Sequence, residues 1–369
     1  MLQIATLAVA VGLAWFERRR PIPAPSPPRH GIAEPRVSDE IPPELAETEA
    51  GRGRRARHPG QIPLAGWKDV LSRVWCRMGT DNLTLIAAGV AFFEMLAIFP
   101  ALAAFVSTFA LVADPGGVRQ TAVELSAFMP PEAAKLLIDA LSSLVAHATS
   151  QLSLGLIFSV LVALWSARAG LAALITGLNI AYEEQEKRGF VEQQIVALLL
   201  TLGALLLGAV VIVALGVIPI VLAFMPPSSA EAMLVGLARW PVLAVLSMGG
   251  VAVLYRYAPS RRQAKWQWIS WGSILATLLW LLASGAFSFY VTRFGSYDAM
   301  YGSLGAVAVL LLWLWLSALI ILIGATFDAE AEHQTLCDTT TGAPKPLGRR
   351  GAHMADTVGA AAGKGGGRT

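Results

Sequence analysis

The chain has 369 residues, of which 55% are hydrophobic and 14% are charged, and its formal net charge is +3. Soluble domains carry about 25% charged residues, so this composition is typical of a membrane protein that crosses the bilayer several times. The two cysteines form no CxxC pair, which excludes a disulfide scaffold and a dithiol redox centre. The sequence therefore predicts an all-α, polytopic integral membrane protein.

The N-terminal region begins with an apolar run over residues 1–16, followed by three arginines. A secretory signal peptide has its positive charges before the apolar run, so this pattern is not typical of one. Two interpretations stay open: a membrane anchor over residues 1–20, which would be a seventh span, or an interfacial leader. Residues 21–66 are rich in Pro, Glu and Arg, which predicts a disordered basic linker. Residues 67–82 predict an amphipathic helix on the membrane surface.

Long apolar segments follow and predict a six-helix membrane domain over residues 83–331. The predicted spans are 83–112, 152–182, 191–224, 240–257, 266–290 and 301–327. Residues 118–148, between the first and second spans, are too polar to cross a membrane and predict a pair of interfacial helices. Pro100 and Pro219 predict kinks in the first and third spans. Residues 332–369 lack periodicity, which predicts a disordered cytoplasmic tail.

Lysine and arginine are distributed unevenly between the two sides of this predicted bundle. One side holds 23 of them and the other side 4, and Arg168 lies within the membrane. Because positively charged loops stay in the cytoplasm, we expect both ends of the six-span core on the cytoplasmic side of a bacterial inner membrane. The basic segments on that side are expected to contact anionic lipid of the bilayer, and no nucleic acid is expected as a partner.

Two ionisable residues lie inside the predicted spans at similar depth: Glu94 in the first and Arg168 in the second. A charge at the bilayer centre costs about 2.5–3.5 kcal/mol on insertion scales, so such residues are treated as functional by default. Asn179 shares a helix face with Arg168, since eleven residues complete three turns plus about 20°. Two interpretations stay open: a polar site that lines a solute or ion path, or a structural ion pair that fixes helix register.

A polar loop lies at the predicted outer mouth of the last two spans and contains Tyr297, Asp298 and Tyr301. These residues are candidates for a gate or for solute contact. The alternative is a tight connection with tyrosine at the membrane interface, which the interfacial preference of tyrosine favours.

Motifs for catalysis are missing from the sequence. The five histidines are scattered, and the chain contains no HExxH motif and no phosphate-binding glycine loop. We therefore expect no enzyme activity, no bound metal and no cofactor.

Short motifs spaced along the chain carry a resemblance to a known family. They are Ala-Ala-Gly-Val-Ala-Phe-Phe from residue 87, Leu-Trp-Ser-Ala-Arg-Ala-Gly from residue 164, Leu-Asn-Ile-Ala-Tyr from residue 178, Leu-Tyr-Arg-Tyr-Ala-Pro from residue 254 and Tyr-Gly-Ser-Leu-Gly from residue 301. With them the chain resembles the YihY/virulence-factor BrkB family of bacterial inner-membrane proteins over residues 81–331. The resemblance implies six membrane helices and an unsettled biochemical role, and some members carry an old ribonuclease label. Members tend to have a neutral residue where this chain has Glu94.

Two hypotheses of function follow, from different classes. The first is a permease-like or transport-associated protein with a polar intramembrane site near Arg168, which takes an unknown small solute. The second is a non-catalytic membrane scaffold that organises envelope proteins or lipids.

Overall fold

The computed structural model of the chain describes residue 49 and residues 51–110, 154–223, 230–294 and 303–361. Within these ranges the structure consists of helices, among them a short 3-10 helix at Pro59–Gln61, and irregular segments; it contains no strand apart from one isolated antiparallel bridge between Ala264 and Thr340. The predicted N-terminal anchor, the interfacial helices over 118–148 and the loop with Tyr297, Asp298 and Tyr301 lie outside the described residues.

The described helices confirm the all-α fold, and one helix covers each predicted span, although α5 begins ten residues before the predicted fourth span. They are α1 (Leu64–Thr80), α2 (Leu83–Ala110), α3 (Leu154–Ala181), α4 (Phe190–Ala223), α5 (Ala230–Tyr257), α6 (Trp266–Phe294), α7 (Ser303–Glu332) and the short α8 (His353–Asp356). By length and composition, segments of α3, α4, α6 and α7 can each cross a membrane. A fifth crossing results if α1 and the first part of α2, bent by 64°, form one broken span. The chain is therefore a multi-pass membrane protein.

Helix boundaries follow local sequence chemistry. Asn82 separates α1 from α2 and has a φ of +51°, a left-handed conformation that asparagine tolerates better than most residues. Its carbonyl accepts hydrogen bonds from Leu85 and Ile86 and so starts α2 directly after the bend. The helices α2 and α4 continue through Pro100 and Pro219, and the kinks at these residues stay predictions.

The bundle is organised around α7, which contacts α1, α2, α3 and α6, while α5 packs between α4 and α6. The shared core contains aliphatic side chains of α2, α3 and α7, including the fully buried Ile175, Leu178 and Leu322. Small residues let the helices approach closely, as is common in membrane bundles. At the crossing of α6 and α7, a Cβ atom added to Gly272 would lie only 2.5 Å from the carbonyl oxygen of Gly324.

The disorder predicted for residues 51–66 and for residues 333–361 of the tail was wrong. These two segments pack together at one end of the bundle, and we call residues 51–63 and 333–361 the cap. Arg54 is buried there and donates hydrogen bonds to the carbonyls of Gln334 and Gly359 at 3.1 and 2.6 Å. Arg350 is likewise buried and donates to four backbone carbonyls. These hydrogen bonds from arginine to backbone carbonyls stabilise the cap. The prediction of disorder failed because it considered only composition and hydrophobic periodicity, which do not reveal such bonds.

The helix α1 packs one face on the bundle and exposes the other. Its Trp67 ring stacks on Phe327 of α7 with ring centroids 5.4 Å apart. The opposite face exposes Leu64, Leu71 and Trp75. This amphipathic pattern agrees with the predicted interfacial helix, while its position relative to a bilayer stays a prediction.

The close crossing of α6 and α7 can be tested with one methyl group. Gly272→Ala should lower the stability of the detergent-solubilised protein by about 1–3 kcal/mol, because the added Cβ would clash with two parts of α7, the Asp328 carboxyl group and the Gly324 carbonyl oxygen. Gly285→Ala in the same helix is the matched control, since its Cβ would meet no atom within 4 Å. Thermal unfolding should show the control at or slightly above wild-type stability. Equal stability of the two variants would contradict the tight crossing.

Candidate functional site

A pocket of about 370 Å³ is lined by residues of α2, α3, α4, α6 and α7. The lining includes the ionisable residue Glu94 and the hydroxyl-bearing residues Thr201 and Ser317. The aromatic rings of Trp280 and Trp313 form another part of the wall. The remaining lining is aliphatic: Ala97, Ile98, Ala167, Gly170, Leu171, Ala204, Leu205 and Leu314.

Glu94 takes its position from a close contact between α2 and α3. A Cβ atom added to Gly170 would lie 3.3 Å from both the Cα and the Cγ atoms of Glu94. The neighbouring Ala97 and Ala167 are also small and buried, so the two helices approach closely at this level. The missing side chain at Gly170 leaves room for the stem of Glu94, which carries its carboxyl group to the pocket wall.

The carboxyl group of Glu94 has no hydrogen-bond or ion-pair partner among the residues that the structure describes. An ionised carboxylate is strongly disfavoured in an apolar environment unless a counter-charge or hydrogen-bond donors accompany it. A carboxyl group in this wall therefore either holds a proton or pairs with a positively charged occupant.

Arg168 does not join Glu94 in this pocket. Its guanidinium lies over the ring of Trp165, with the Cζ atom 3.9 Å from the ring centroid, and its Nε atom is buried without a hydrogen-bond partner in the described part of the chain. Arg168 precedes Gly170 by two residues, or about 200° around the helix, so the two point to opposite sides of α3. Because Gly170 faces Glu94, Arg168 faces away from it.

Asn179 lies at the capped end and connects two loops. Its side-chain amide donates to Glu186 Oε2 at 3.0 Å, and its Oδ1 atom accepts from the backbone amide of Ser260 at 2.8 Å. Arg188 also binds Glu186 and donates to the carbonyl of Ala258 at 2.7 Å. Burial raises the pKa of Glu186, but the hydrogen bonds from Arg188 outweigh it and leave the pKa below its usual value.

The sequence-predicted residues Glu94, Arg168 and Asn179 thus occupy three separate environments. Arg168 and Asn179 both belong to α3, where eleven residues of ideal helix complete about three turns. Eleven residues also separate them by about 16 Å along the axis, so a shared face does not bring them together.

Sequence reasoning missed a cluster of buried charges at the capped end. Arg261 binds Glu332 through Nη2 at 2.7 and 2.8 Å, and both side chains are almost fully buried. Arg73 of α1 binds Glu330 at 2.5 Å. The available signal was the run Asp-Ala-Glu-Ala-Glu from residue 328, which places three carboxylates directly after an apolar span. Across the described ranges, no group of three His, Cys, Asp or Glu residues is arranged to hold a metal ion.

Because Asn179 links two loops, its replacement should loosen the structure locally around Ser260. Asn179→Ala should destabilise the protein by about 1–3 kcal/mol, because it leaves the buried amide of Ser260 without its acceptor. Hydrogen exchange at the Ser260 amide should become faster. Thr176→Val on the same helix is the control, since Thr176 is exposed and its hydroxyl bonds only to the carbonyl of Ala172. Unchanged protection at Ser260 would contradict this role.

The separation of Glu94 and Arg168 predicts additive effects. In a double-mutant cycle of Glu94→Ala and Arg168→Ala, the stability changes should sum to within about 0.3–0.5 kcal/mol. A coupling energy well above that range, measured by thermal unfolding, would show that the two charges interact after all.

Comparisons with known proteins agree with this architecture. The family model described as "Virulence factor BrkB" matches residues 74–347. YfkH of Bacillus subtilis (strain 168), whose name describes it as ribonuclease-like, is 27% identical over 267 residues, which cover 71% of this chain and 93% of the relative. A UPF0761 membrane protein of Tolumonas auensis is 28% identical over 284 residues, or 73% of this chain and 87% of the relative. A UPF0761 membrane protein of Vibrio cholerae serotype O1 is 29% identical over 264 residues, or 70% and 86%.

No solved structure matches the chain. The family model nevertheless covers most of the described bundle and part of the cap, and it confirms the resemblance that the sequence motifs carry. The chain belongs to the virulence factor BrkB family and is a multi-pass membrane protein.

Proposed function

We propose that this protein is a permease-like membrane protein whose pocket accepts a small organic cation at Glu94. The observation that carries the proposal is the unpaired carboxyl group of Glu94 in the wall of the 370 Å³ pocket. This volume falls within the range of about 300–1,000 Å³ that is usual for small-molecule sites.

The aromatic wall supports a cationic rather than a neutral solute. Trp280 and Trp313 meet edge to face, with ring centroids 5.7 Å apart. The Nε1 atom of Trp280 donates to Ser317 Oγ at 3.0 Å, which fixes the orientation of its ring. A cation over an indole face gains about 0.5–2 kcal/mol, depending on how far it is desolvated. Two indoles and one carboxylate together form a site of the kind that binds substituted ammonium groups.

The orientation that we propose puts the cap in the cytoplasm and the bundle in a bacterial inner membrane. The excess of lysine and arginine on the capped side supports this orientation. Exposed Lys68 and the exposed apolar residues Leu64, Leu71 and Trp75 would place α1 at the membrane surface, where the basic side chains contact anionic lipid.

Ribonuclease activity, which the name of YfkH suggests for that protein, is not part of this proposal. The pocket lies within the membrane-spanning bundle, and Glu94 is its charged lining residue in the described part of the chain. A carboxylate in such a wall repels the phosphates of RNA, whereas RNA-binding sites are rich in arginine and lysine.

Counterflow uptake into proteoliposomes tests the proposal. Choline should enter vesicles that contain the wild type, and its uncharged isostere 3,3-dimethylbutan-1-ol should not compete. Glu94→Gln should lower choline uptake at least about tenfold, since losing one charge-assisted contact corresponds to about 1.4 kcal/mol or more. Glu94→Asp should retain part of the uptake.

Two variants serve as controls and separate the rival hypotheses. Gly208→Ala adds a Cβ that meets no atom within 4 Å and should transport like the wild type. Arg168→Gln should also retain uptake, because Arg168 does not line the pocket. Loss of uptake in Arg168→Gln with normal uptake in Glu94→Gln would overturn the proposal. Absence of any uptake by folded wild type would favour the scaffold hypothesis.

A further inference from the structure

A second polar site lies at the capped end of the bundle, away from the Glu94 pocket. Five ionisable side chains meet there, from the turn directly after α3, from α5, from α7 and from the loop between α5 and α6. They are Tyr182, Tyr255, Arg261, Asp328 and Glu332, and each is at most 7% exposed. This site is independent of the proposed function, because none of its residues lines that pocket.

The charges of this cluster do not balance. Arg261 and Glu332 form a two-contact ion pair, and the hydroxyl of Thr339 donates a further bond to Glu332 at 2.9 Å. This pair neutralises itself. Asp328 is fully buried, and no cationic side chain of the described residues lies within ion-pair distance of it. One carboxyl group is therefore left without a counter-charge.

The two oxygens of Asp328 differ in their surroundings. Oδ1 accepts a hydrogen bond from the backbone amide of Gly272 in α6 at 2.6 Å. Oδ2 is buried and has no hydrogen-bond partner within the described ranges. An isolated ionised carboxylate in such a place is so unfavourable that the group binds a proton instead. A proton on Oδ2 removes the charge and leaves the bond to Gly272 intact.

Other polar atoms around Asp328 are also unpaired. The hydroxyl of Tyr182 and the Nη1 atom of Arg261 are both buried without a partner in the part of the chain that the structure covers. The Arg261 guanidinium lies 4.7 Å from the centroid of the Tyr182 ring. Asp328 is near enough to Tyr182, Tyr255, Arg261 and Glu332 to interact with each electrostatically. Asp328 can therefore gain or lose a proton while the ion pair between Arg261 and Glu332 stays intact.

The cluster also adjoins a cavity deeper in the bundle. The hydroxyl of Tyr255 donates to the carbonyl of Ile321 at 2.6 Å. Ile321 and Ala276 line a cavity of about 250 Å³ between α5, α6 and α7. Ala276 also packs at Gly324, one turn before Asp328. Glu332, about one turn after Asp328, accepts a hydrogen bond from Thr339 of the cap. Along α7, Asp328 therefore lies between the residues that line this cavity and the residue that contacts the cap.

We propose that Asp328 is a reversible proton-binding site. The carboxylic acid holds one proton on Oδ2 while the site is closed. On release, the O–H bond breaks, the proton passes to a water molecule as hydronium, and the carboxylate keeps the electron pair. The groups that face this acid are Tyr182 directly after α3, Tyr255 of α5, Arg261 of the loop between α5 and α6, the Gly272 amide of α6 and Glu332 of α7. Glu184, in the connection between α3 and α4, acts on Arg261. The ligand is a proton rather than a metal cation, because no group of three His, Cys, Asp or Glu residues is arranged to hold a metal ion among the described residues.

Infrared spectroscopy of the purified full-length protein tests this proposal. At neutral pH the wild type should show the carbonyl-stretch band of a protonated carboxylic acid. Subtracting the Asp328→Asn spectrum should leave a band that corresponds to one carboxyl group per chain. Glu330→Gln is the matched control on the same helix and should leave the band unchanged, since Glu330 is ion-paired with Arg73 and Arg77.

Stability measurements provide the second arm. Asp328→Asn mimics the protonated acid and should unfold within a few degrees of the wild type, whereas Asp328→Ala also loses the acceptor of the Gly272 amide and should unfold earlier. If the variants fail to fold, carboxyl-labelled aspartate in the wild type should shift the same band. The absence of an aspartic acid band at neutral pH would overturn the proposal. A rise in wild-type stability with sodium but not with potassium, without that band, would overturn it in favour of a metal cation.

Discussion

The end of α7 imposes the strongest physical constraint on this fold. The membrane-crossing segment of α7 has the highest mean hydropathy of the four that stand alone, 2.7, yet its last turns carry Asp328, Glu330 and Glu332, all buried. Carboxylates in a low-dielectric interior are tolerated only with counter-charges, hydrogen bonds or a bound proton. The rest of the capped end is arranged to supply these partners.

Each of these three carboxyl groups binds a different part of the chain. Glu330 forms ion pairs with Arg73 and Arg77 of α1, and Glu332 forms an ion pair with Arg261 of the loop between α5 and α6. Asp328 holds α6 at its closest approach through the Gly272 amide. Removing one partner of such a buried pair typically costs about 3–5 kcal/mol, so these contacts fix the relative positions of the elements. The two cap segments close over the same end.

The Glu94 pocket includes residues of α7 that lie well before its charged end. Ser317 of its wall and Glu332 of the ion pair are fifteen residues apart on α7, or about 22 Å. The tightly paired end and the pocket are therefore distinct regions of one bundle.

The sequence by itself determined the membrane fold and the approximate bounds of its spans, because an apolar run long enough to cross a bilayer is a local property of the chain. It also pointed to Glu94, since an ionisable residue inside such a run stands out against its neighbours. Only the tertiary structure decided which charges meet. The rotation of α3 about its axis turns Arg168 away from Glu94. Asn179 instead accepts a hydrogen bond from the backbone amide of Ser260. The order of residues 333–361 also depended on tertiary structure, because Arg54 and Arg350 bind carbonyls that come together only when the chain has folded.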